Sequence, residues 1–99
     1  MDKVELKRRT QLFAVHAIRF IESLPQTTTI RRLANQLLRS SSSVGANYRS
    51  ACRGKSTADF INKIVIVEEE ADESVYWLEL MEEAGLVDKP ELLIQKKRG

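Results

Sequence analysis

Few side chains in this sequence can do covalent or metal chemistry. The only thiol is Cys52 and the only imidazole is His16. A nucleophile and base made from that pair would need an oriented acid behind the base. Neither residue stands beside a glycine turn or such an acid, so Cys52 reads as a small packing thiol. The carboxylates Glu69, Glu70 and Glu73 suggest a di-metal bundle. That chemistry takes a Glu-x-x-His pair from each of two helices, which a single histidine in the first segment cannot supply. Gly54-Lys55-Ser56 has the shape of the end of a phosphate-binding loop. The glycine required five positions earlier is Arg49, and no strand precedes it. The expectation is therefore a chain with no catalytic residues, no metal and no cofactor.

Two rows of residues remain. Arg32, Arg39 and Arg53 fall on one stripe of a helix, with Gln36, Ser43 and Ser50 on the same side. A row of that kind can follow a phosphate backbone; it is also what an ordinary solvated helix face looks like. Ile66, Glu70, Glu73, Trp77, Leu80 and Ala84 form a second row on a later helix, with Trp77 placed as an interface anchor. Charge is divided between the rows. Residues 1–55 hold 11 Lys and Arg against 3 acids, net +8, and residues 56–99 hold 5 against 11, net −6. Opposite charges beside a helix seam set pairing within a bundle or between subunits. Alternatively, the basic half meets an external anion.

The elements that must position these rows are long helices. With 99 residues the chain is one small domain, and two prolines and four glycines are too few for an all-β fold with a turn every 8 to 12 residues or so. Leu6, Thr10, Phe13, Ala17, Phe20 and Leu24 make the seam of a first helix, about Val4 to Leu24, ended by Pro25. A second helix begins near Thr28 with the seam Ile30, Leu33, Leu37, Ser41, Val44, Tyr48 and Ala51. Its phase runs unbroken through Ser40-Ser41-Ser42-Ser43-Val44-Gly45. The serine run is therefore expected to be helix, not linker, with Ser41 and Gly45 small enough to admit a neighbour, and Gly54 is placed as the C-terminal cap. Phe60, Ile64, Val67, Ala71, Ser74, Leu78 and Met81 define a third helix, capped by Ser56 and ended by Gly85. Asp88-Lys89-Pro90-Glu91 opens a fourth, short or truncated, from Glu91 to Gly99. No apolar run is long enough to span a membrane, and no apolar stretch follows the basic N-terminus. With its lone cysteine, the chain is expected to be cytoplasmic.

Three stretches carry a family resemblance. Gln36 to Arg49, then Ser56 with Asp59 to Lys63, then Glu70 to Leu78 resemble the four-helix-bundle proteins encoded in intervening sequences of bacterial 23S ribosomal RNA genes. The similarity covers about residues 5 to 88 and departs at Ser50 and Glu69, where the family usually has Glu and Lys. It implies an all-α, antiparallel up-and-down four-helix bundle that assembles as a homopentamer. It also implies likeness in fold to the basic accessory variability proteins of diversity-generating retroelements, which act with nucleic acid. Two functions stand open on this reading. One is a non-enzymatic scaffold or adaptor contacting RNA, DNA or a nucleic-acid-bound protein through Arg32, Arg39 and Arg53. The other is a purely structural homo-oligomer built through Ile66, Glu70, Glu73, Trp77 and Leu80.

Overall fold

The computed structural model describes residues 2–88. Three helices follow one another: α1 Lys3–Glu22, α2 Thr28–Cys52 and α3 Thr57–Glu83. No strand occurs among the described residues, so the protein is all-α. The fourth helix expected over Glu91–Gly99 lies outside the described residues, and what they form is an up-down-up arrangement of three helices.

Each helix starts on a side chain that replaces a missing backbone partner. Asp2 accepts from the Glu5 N–H at 2.8 Å. Thr27 accepts from Ile30 at 3.2 Å, and Ser56 from Asp59 at 3.1 Å. α1 stops at Glu22, two residues short of the expected end. There the Ser23 hydroxyl donates to the Phe20 carbonyl at 2.6 Å, closing the last turn ahead of Pro25.

α3 ends in a Schellman turn. The Gly85 N–H reaches the Glu82 carbonyl and the Leu86 N–H the Met81 carbonyl, both at 3.0 Å, with Gly85 at φ 73°. A Cβ at Gly85 would meet nothing within 4 Å, so Gly85→Ala has only a backbone cost. That cost is about 1 kcal/mol, expected as a lower urea midpoint with unchanged helicity. Gly54 closes the last turn of α2 at the expected place, its N–H reaching the Ala51 carbonyl at 3.0 Å, but it does not take the left-handed conformation: among the described residues Gly85 alone has positive φ. Gly54 is needed for space instead. A Cβ there would lie 3.1 Å from the Ala51 carbonyl oxygen and 3.3 Å from Asp59 Cβ.

α2 is the central element. It packs on α1 along one flank and on α3 along another, while among the described residues no Cα of α1 comes within 8 Å of one of α3. The apolar seam of α2 turns inward as its spacing requires, with Ile30, Leu37, Val44, Tyr48 and Ala51 buried. Ala17, Leu37, Leu78 and Met81 bring all three helices together, with Phe13, Phe20 and Trp77 packed around them. The serine run is helical throughout. Small residues there let helices approach closely: a Cβ on Gly45 would sit 3.4 Å from the Thr10 backbone of α1.

On the α3 side, Ser40 and Ser74 are fully buried with their hydroxyls 2.8 Å apart. Ser74 is also 2.9 Å from the Glu70 carbonyl, and Ser40 is 3.3 Å from that of Leu37. No buried side-chain polar atom among the described residues lacks a partner, as a tightly packed crossing requires.

Candidate functional site

The described residues do not assemble the reactive groups. Gly45 stands level with Thr10 in the antiparallel α1–α2 pair. Cys52 is seven residues to one side of that level and His16 six to the other, about 20 Å apart along the axes at 1.5 Å per residue. Burial, with the Cys52 thiol one turn on, holds the Tyr48 phenol above its ordinary pKa. The three carboxylates are split as well: Glu70 and Glu73 turn toward α2, while Glu69 is exposed.

Polar side chains do come together on the flank where α2 meets α3. The Arg39 guanidinium spans the helix pair, 3.4 Å from Glu70 through one nitrogen and in contact with Glu73 through another. The same Glu73 oxygen accepts from the Trp77 indole N–H at 3.0 Å. One side chain of the basic half is thus clasped by two of the acidic half within a single chain. This revises part of the sequence reading. Of the three arginines placed on a free face, Arg39 is engaged, whereas Arg32 and Arg53 are exposed with no ion-pair partner among the described residues.

The row meant for a partner subunit also makes contacts within the chain. Glu70, Glu73 and Trp77 are occupied inside the chain, and Leu80 is half-buried. Ile66 remains exposed. The spacing of a row fixes its direction on its own helix but not which neighbour lies there. The signal was nonetheless present, in the opposite charges of the two halves.

Arg39 is 50% exposed, so its ion pairs contribute little in water. Glu73→Gln keeps an acceptor for the indole and removes only the charge, whereas Glu73→Ala removes both. Each is expected to cost at most about 1 kcal/mol. Only the alanine variant should shift the Trp77 emission maximum, and 1 M salt should shrink the difference between wild type and Glu73→Gln.

These features define the class: an all-α helical protein whose polar residues clasp helix to helix and whose outer faces carry opposite charge. The sequence matches the family described as 23S rRNA-intervening sequence protein over residues 2–97, and the chain belongs to that family. It is also similar to a protein of unknown function from the S23 ribosomal protein family of Bacteroides thetaiotaomicron. That crystal structure superimposes with a TM-score of 0.80 at 36% identity, covering 91% of this chain and 82% of the other. No curated protein matches. Among the described residues no helix is long and apolar enough to cross a membrane.

Proposed function

We propose that the chain is a non-catalytic helical module that associates with copies of itself and acts as a scaffold or adaptor. The observation that carries this reading is the apolar surface left on α3, where Ile61, Val65, Ile66 and Tyr76 are all exposed. Apolar side chains clustered on a surface are a common mark of an interaction site. Ile66 belongs to the row first read as an interface, and the other three extend it outward. The family resemblance points to five copies. Sedimentation equilibrium at low micromolar concentration should give a mass well above the 11.3 kDa of one chain. A strictly monomeric wild-type chain would overturn the reading.

A second reading rests on a separate observation. α2 carries four arginines and no acid, and Arg53 follows it directly. Arg32 and Arg53 remain on the surface for a phosphate backbone or a nucleic-acid-bound partner, and closed symmetry would repeat them in every copy. RNA or DNA should then bind with little sequence preference, falling steeply between about 50 and 200 mM salt. Arg32→Gln with Arg53→Gln should weaken binding while leaving assembly intact. Absence of binding by the assembled protein at low salt would remove this role.

A further inference from the structure

We infer that copies of this chain meet head to tail, the outer line of α3 in one copy lying on the α1–α2 shoulder of the next. The inference rests on the self-association just proposed and adds which faces meet.

At 100° per residue, Val65, Asp72, Tyr76 and Glu83 fall within about 40° of one another on α3 and about 180° from the buried Ser74. That line points away from the other described helices. Val65 and Tyr76 on it are 49% and 55% exposed, and Ile61 at its edge is 54% exposed. The exposed acids Glu69, Asp72, Glu79 and Glu83 surround them. α3 as a whole holds nine acids against one lysine.

The shoulder has the opposite character. On α2, Arg31, Leu38, Ser42 and Arg49 lie within about 40° of one another, and on α1 Val4, Gln11, Ile18 and Glu22 do the same, Glu22 being the one acid on these lines and outnumbered by Arg31 and Arg49. Arg49 donates to Gln11 at 2.7 Å, which joins the two lines into one surface. Leu38 and Ile18 are 41% and 43% exposed there, with the exposed cations Arg31 and Arg49 on either side of Leu38.

Both faces therefore have an apolar centre with charged flanks, one acidic and one basic. Of the three ways to pair them, α3 on α3 sets acid against acid, and shoulder on shoulder sets arginine against arginine. Only α3 on the shoulder buries both apolar centres with opposite charges beside them. Such a contact is heterologous, so each copy offers one face and uses the other, and the assembly closes into a ring or continues as a chain.

The test uses two charge-reversed full-length chains. One carries Glu69→Lys, Asp72→Lys and Glu79→Lys; the other carries Arg31→Glu and Arg49→Glu. These positions are exposed and lie outside the Arg39 clasp. Each variant alone should keep wild-type helicity and sediment at the mass of a single chain, and an equimolar mixture should associate again. A mixture that stays monomeric, or variants that assemble as wild type does, would overturn the face assignment while leaving self-association intact. A monomeric wild-type chain would instead overturn the reading beneath it. Should a reversed chain lose helicity, milder substitutions decide. In a Cys52→Ser background, chains carrying Val65→Cys and chains carrying Leu38→Cys are mixed under a mild oxidant. A disulfide joining the two kinds of chain is expected, and an assembled mixture without one would overturn the proposal.

Discussion

Leu78→Ala is expected to destabilise the protein by about 2–5 kcal/mol, a large part of the total stability of a small domain. Leu78 is fully buried where the three helices meet, against Ala17, Leu37 and Met81. Two things keep the resulting cavity open. Ala17 offers only a methyl group, too short to fill it, and α2 and α3 are already held at close range one turn away by Ser40 and Ser74. The cost should therefore include the cavity as well as the lost transfer free energy. Val65→Ala on the outer line of α3 should change the stability of the isolated chain by about 0.5 kcal/mol or less. Urea unfolding at fixed pH measures both, and a Leu78→Ala midpoint near that of Val65→Ala would show that Leu78 is not at the centre of the core.

Much of the fold was legible because period and capping act locally. The seam from Ile30 to Ala51 is buried at every position except Leu33, which is half-buried. Its phase carried the serine run as helix against the poor helix propensity of serine and glycine. The cap at Ser56 and the stop at Gly85 followed from residue type. Other features depend on which helix lies beside which, and no single-helix pattern contains that. Ser40 stands one residue off the seam and is fully buried only because α3 presents Ser74 to it. Arg39 is on the side of α2 away from the apolar seam, where solvent was the natural expectation, yet α3 brings Glu70 and Glu73 within reach. The outward line of Ile61, Val65 and Tyr76 follows no heptad, so it was not read as a face. Gly54 stands after α2 where residue type placed it, but a glycine there serves either a left-handed cap or a close approach of backbone, and only the backbone geometry separates the two.

The buried serine pair leads to the other large effect. Ser74→Leu is expected to cost about 1–3 kcal/mol, because a leucine must fit where two hydroxyl oxygens now stand 2.8 Å apart in a region without solvent exposure. Ser74→Ala, by contrast, removes one hydroxyl and leaves Ser40 able to donate to the Leu37 carbonyl, 3.3 Å away, for a cost of about 1 kcal/mol. The comparison separates crowding from hydrogen bonding, since the two variants lose the same hydroxyl and differ only in volume. Crowding should also reach the neighbouring clasp. Forcing α2 and α3 apart at Ser74 lengthens the contact between Arg39 and the adjacent Glu73, and it also opens the core cluster against which the Trp77 ring packs. Ser74→Leu should therefore shift Trp77 emission before any unfolding begins, while Ser74→Ala should leave it in place. A leucine variant with wild-type stability and emission would mean that the two helices are not held together by small side chains at this level. The serines of α2 would then have to be explained by something other than the approach of α3.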